Sequence, residues 1–165
     1  MIVLAAVVAA AGAAAAIDLR TGRIPNRLTA AVGLTGLTLA LGGWSGHSVA
    51  GALSGALIGF ALMLPGHLLG GTGAGDVKLL ASLGTLLGPG GIVMAFLYGA
   101  IAGGLLALGH AVGRGRLGIT VSRTARLVTV PAGAKQEIDG AAKASRFAYG
   151  PALAVGAIVA ALLVK

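Results

Sequence analysis

The sequence contains no cysteine. That excludes disulfides, thiol nucleophiles and cysteine-ligated zinc. It is also poor in acid, with four carboxylates in 165 residues: Asp18, Asp76, Glu137 and Asp139. Charged residues make up 10% of the chain, against roughly 25% in a soluble domain. The three histidines, His47, His67 and His110, are scattered and show no metal-ligand spacing. They read as packing or interfacial residues, so neither a metal nor a cofactor is expected. No polar stretch is long enough to form a second, soluble unit, and residues 1–165 read as a single membrane-embedded domain.

What is present is apolar: 57% hydrophobic residues, with 30 glycines. This is the composition of an all-α, polytopic membrane protein. Small residues let helices approach closely where packing, not hydrophobicity, drives association. The net charge of +8 invites a nucleic-acid reading. That reading fails because the basic residues flank the apolar runs, where the positive-inside rule places them.

Apolar runs fall at 2–17, 28–41, 49–69, 77–87, 92–112 and 147–164, about six spans of the length class that crosses a bilayer or falls somewhat short of it. The first resembles a signal peptide, but no Lys or Arg precedes Arg20, and a signal peptide starts basic. It reads as a retained helix ending at Asp18. In the loop 18–27, Gly22 and Pro25 break the helix and Asn26 is placed to cap the next one. With both termini on the non-cytoplasmic side, the loops at 18–27, 70–78 and 113–146 face the cytoplasm. Eleven of the 12 Lys and Arg residues then lie on that side, Lys165 being the exception. The asymmetry supports this orientation and a multi-pass protein of the cell membrane, in contact with its lipids.

The same count brings Asp18 and Asp76 to one side. The short segment after Asp76 places both at or below the membrane boundary, with the glycine loop lining a wet cavity. An ionisable residue there is a functional-site hypothesis. Two carboxylates a few ångströms apart cannot both ionise cheaply, so such a pair holds a shared proton. One can then take a proton from water while the other protonates or polarises an amide carbonyl. Gly73 and Gly75, free to adopt φ > 0, leave room for a substrate backbone beside Asp76. Lys78 joins that loop or marks the inner interface. The plainer reading makes Asp76 a helix N-cap and Asp18 a helix-end residue neutralised by Arg20 or Arg23. Tyr149-Gly150-Pro151 reads as a helix start, with Pro151 in the first turn.

Asp18, followed by six residues and then Pro25-Asn26, resembles the first aspartate motif of type IV prepilin peptidases. Gly73-Ala74-Gly75-Asp76-Val77-Lys78 is similar to their GxGD motif, and residues 148–154, with Tyr149 and Pro151, to the start of their last helix. The resemblance implies an aspartic endopeptidase that removes the basic leader of prepilin-like proteins at the cytoplasmic face. Asp18 and Asp76 would be its catalytic pair, with Gly73 and Gly75 shaping the site. Its partner would be a prepilin or pseudopilin with a basic leader and an apolar N-terminal helix. The cysteine tetrad of the family's methyltransferase region has no counterpart here. The chain therefore resembles the short, peptidase-only branch found with Flp/Tad pili, for which no S-adenosylmethionine is expected. Archaeal preflagellin peptidases share both motifs, and a proton- or cation-coupled transporter could use the same aspartates. No oligomeric state follows from any of these readings.

Overall fold

In the computed structural model, residues 1–69, 71–113 and 150–163 are described. They form five helices: α1 (Ile2–Thr21), α2 (Asn26–Leu41), α3 (Val49–Leu68), α4 (Ala74–Gly113) and α5 (Gly150–Leu163). The described residues contain no strand. Three stretches are long and apolar enough to cross a membrane, Ile2–Thr21, Val49–Leu68 and Ala74–Leu106, while Gly150–Leu163 is a shorter apolar helix. Tyr149 and nearly all of the expected basic loop at 113–146 lie outside the described residues.

α4 is the frame of the bundle, packing against every other helix. It is not one straight rod. Gly88 has φ 68 and ψ −178, a left-handed conformation that glycine adopts without penalty. Pro89 follows as a first-turn residue of the second arm. A Cβ built on Gly59 of α3 would lie 2.6 Å from the Leu80 carbonyl oxygen and 3.1 Å from Ile92 Cγ1. In a straight helix, Leu80 and Ile92 would stand about 18 Å apart. The chain therefore doubles back at Gly88, and both arms of α4 pass the same face of α3.

The helices meet through small residues. Gly55 of α3 sits against Gly84, Gly36 of α2 against Thr85, and Gly156 of α5 against Ala95 and Gly99. At each position a Cβ would strike backbone, so bare glycine sets the interhelical distance. Leu79, Leu80, Leu83, Leu86, Ile92, Leu153 and Val7 fill the fully buried centre.

Three boundaries differ from the sequence expectation. α1 does not end at Asp18 but runs on to Thr21, where Gly22 (φ 60) terminates it and donates its N–H to the Asp18 carbonyl at 2.8 Å. Nothing between Asp18 and Thr21 breaks a helix, and a charge alone does not end one. α2 opens at Asn26 with Pro25 in the capping position, in an extended conformation and with no side-chain cap; Asn26 is therefore not the N-cap. α4 opens at Ala74, so Asp76 lies inside its first turn.

His47, in the turn between α2 and α3, ties that turn to the fold-back. Thr85 sits near the end of the first arm, and its normal partner four residues on is Pro89, which has no N–H. His47 Nε2 lies 3.1 Å from the Thr85 carbonyl oxygen. A carbonyl only accepts, so this nitrogen carries the proton. Replacing His47 by Leu leaves that carbonyl without its donor and is expected to cost about 1–3 kcal/mol of stability, read as a lower unfolding temperature in detergent.

Candidate active site

Two of the few carboxylates are buried: Asp18 is 7% exposed and Asp76 9%. Asp18 lies in the last turn of α1 and Asp76 in the first turn of α4. Burying a carboxylate without hydrogen bonds costs several kcal/mol at least, so each should have a partner. Both do, and in each case it is a glycine N–H. Gly150, the first residue of α5, donates to Asp18 Oδ2 at 3.0 Å. Gly73, just before α4, donates to Asp76 Oδ2 at 3.1 Å. The second bond is the reach-back half of a capping box, from the third helical residue to the peptide before the helix. α1 packs against α4, and α5 packs against both.

The two loops that carry these residues lie against each other. A Cβ on Gly75 would meet Ile24 Cβ at 3.1 Å. Lys78 Nζ donates to Asn26 Oδ1 at 3.0 Å, across 52 positions of sequence. The Asn26 side chain thus bridges to α4 instead of capping α2. Pro25 sets the extended backbone that presents it. Segments 24–26 and 73–78 form one assembly, and Lys78 belongs to it through this bond.

The role of the glycines needs correction. Positive φ among the described residues occurs at Gly22, Gly43, Gly46 and Gly88, not at Gly73 or Gly75. Nor is the space beside them open. A Cβ on Gly73 would lie 3.2 Å from Asp76 Oδ2. These glycines permit the chain to approach itself: the Asp76 carboxylate at one, Ile24 at the other.

Two further residues emerge from the structure. His67 Nδ1 lies 3.0 Å from the Thr72 carbonyl oxygen, and the Gly71 N–H donates to the Gly66 carbonyl at 2.9 Å. Together they anchor the glycine loop to the end of α3. Gly150 is the other. Sequence reasoning singled out Tyr149 and Pro151 on either side of it, the only signal available being a glycine at a helix start. Pro151 is the second residue of α5, and Tyr149 lies outside the described residues. Among the described residues no group of three or more His, Asp or Glu side chains could hold a metal.

The sequence model of the type IV leader peptidase family matches residues 3–108. Two curated relatives are described as prepilin leader peptidase/N-methyltransferase, from Burkholderia pseudomallei strains 1026b and K96243. Each is 37% identical over 111 residues, a match covering 64% of this chain and 36% of the relative. The chain therefore matches little more than a third of the length of these relatives. No solved structure matches it.

The Lys78–Asn26 bridge can be isolated by a double-mutant cycle. Lys78→Met and Asn26→Leu are each expected to lower thermal stability slightly. The double variant should lose no more than the worse single, giving a coupling of a few tenths of a kcal/mol for an exposed pair.

Proposed function

Because the chain belongs to the type IV leader peptidase family, we propose that it is a membrane-embedded aspartic endopeptidase that cleaves leader peptides from prepilin-like proteins. Asp18 and Asp76 are its catalytic pair. The observation that carries this reading is that two carboxylates, Asp18 and Asp76, are buried at helix ends, each with one oxygen held by a glycine N–H. Burial alone would suit two capped, structural acids. Two such groups on segments that meet through Gly75–Ile24 and Lys78–Asn26, in a chain with four acids overall, suit acid–base chemistry better.

In this mechanism the pair shares a proton. The ionised carboxylate takes a proton from a water molecule as that water attacks the scissile carbonyl carbon. The protonated carboxylate gives its proton to the carbonyl oxygen. The tetrahedral intermediate then breaks down with proton transfer to the leaving nitrogen, and no covalent enzyme intermediate forms. Asn26 and Lys78 keep the two halves of the site in register. The His67–Thr72 contact holds the loop before Asp76.

The chain crosses the cell membrane about six times in this reading, counting the two arms of α4 separately, with its N-terminus outside. The inner ends of α1, α4 and α5 then share one level near the cytoplasm, where a basic leader would be presented. Support comes from the charge asymmetry and from the alternating directions of contacting helices: Gly55 against Gly84 and Gly59 against Leu80 run antiparallel. The substrate is a prepilin-like protein with a basic leader and an apolar helix, which would lie alongside this bundle among the lipids. The reading stops at peptide cleavage and does not extend to methyl transfer.

The test is co-expression with such a substrate, read as its size on a gel. The wild-type chain should shorten it. Asp18→Asn and Asp76→Asn should each reduce cleavage by at least about 10³-fold, in line with losses of essential acid–base groups, while still inserting into the membrane. Full cleavage by either variant would remove that residue from the mechanism.

A further inference from the structure

Asp18 is held from the far end of the chain. The Gly150 N–H reaches its Oδ2 across 132 positions of sequence, and the bond is buried. Gly150 also lies outside residues 3–108, the part that matches the family model. Its φ is not positive, so backbone conformation does not require glycine there. Space does. A Cβ on Gly150 would stand 2.6 Å from Asp18 Oδ2, 3.0 Å from its Cβ and 3.1 Å from its Cγ. The first peptide of α5 is laid directly on the carboxylate, and any side chain would push the two apart.

Asp18 sits near the end of α1, and a carboxylate has rotational freedom about χ1 and χ2. A charge-assisted N–H bond to one oxygen removes much of it. The donor is a peptide at a helix start, where N–H groups have no intrahelical partner. α5 packs against both α1 and α4, so it is placed to relate a residue of one to a residue of the other.

We propose that Gly150 is a positioning residue for the reaction: its N–H fixes the Asp18 carboxylate in the rotamer that faces Asp76. This rests on the assignment of Asp18 as a catalytic carboxylate. The separation between the two carboxylates is then set by the docking of α5, not by α1 alone. A misplacement of an ångström in such a group is enough to lower the rate by orders of magnitude.

The test compares Gly150→Ala with Gly36→Ala in the purified full-length chain. Gly36 lies against Thr85 at the α2–α4 contact, where a Cβ meets backbone, so the second variant reports destabilisation alone. At a temperature where both remain folded, Gly150→Ala should lower kcat tenfold or more with KM within about twofold. Gly36→Ala should keep its kcat even where its unfolding temperature falls as far. A normal kcat for folded Gly150→Ala, or an equal loss in Gly36→Ala, overturns the proposal. If Gly150→Ala does not fold, the Gly150 amide proton resonance of selectively labelled protein decides. It should move upfield in Asp18→Ala, and an unchanged resonance overturns the bond. Full cleavage by Asp18→Asn would instead overturn the assignment of Asp18. An inactive Asp18→Asn beside a fully active Gly150→Ala overturns the role of Gly150 alone.

Discussion

A carboxylate buried in an apolar helix bundle must find a hydrogen-bond donor, and each of the two buried among the described residues receives one from the backbone of a glycine. Gly150 serves Asp18 and Gly73 serves Asp76. Helix starts carry N–H groups with no internal partner, so each bond satisfies a donor and an acceptor that would otherwise be unpaired. The requirement places α5 and α4 as much as it places the aspartates. Because the donors carry no side chain, the carboxylates can come within hydrogen-bond distance of the peptide itself.

The rest of the bundle is consistent with that constraint. Hydrophobic burial drives little association between helices in lipid, so close packing has to come from shape. α4 provides the shape by doubling back at Gly88, presenting two arms to α3, α2 and α5. Glycine stands at each of those crossings, and the side chains between them are mostly Leu and Ile. The fold-back leaves the Thr85 carbonyl beside Pro89, and His47 supplies the missing donor. The glycine turn at Gly88 and the capped carboxylate of Asp76 delimit the first arm of α4.

Much of this was legible in the sequence. The scarcity of acid singled out Asp18 and Asp76, both of which are buried in the structure. The break at Gly88-Pro89 and the helix from Val49 were visible as punctuation in apolar runs. Other features were not. The charges at Asp18 and Asp76 suggest helix boundaries, yet a helix ends where backbone geometry requires it, at Gly22, and starts at Ala74. Asn26 has the chemistry of a cap, but its use is decided by Lys78, 52 positions away. Gly73 and Gly75 looked like sites of unusual φ; whether a glycine serves conformation or close approach depends on what faces it, which no local pattern records. The sequence marks Gly150 only as part of a helix start, because what faces it is Asp18, 132 positions away. For His67 the sequence offers packing or the interface as roles, but its contact with the Thr72 carbonyl depends on a loop five residues on that no local pattern records.

The central claim is that α1 and α4 bring Asp18 and Asp76 to face each other. The absence of native cysteine makes site-directed cross-linking in membranes the most direct measurement. Asp18→Cys with Asp76→Cys in one chain, treated with a short bifunctional thiol reagent, should give an intramolecular link detectable by mass spectrometry after digestion. Asn26→Cys with Lys78→Cys provides the reference pair for the same loops. Linkage of both pairs is the predicted result. Linkage of the reference pair without linkage of the Asp18/Asp76 positions would contradict the account.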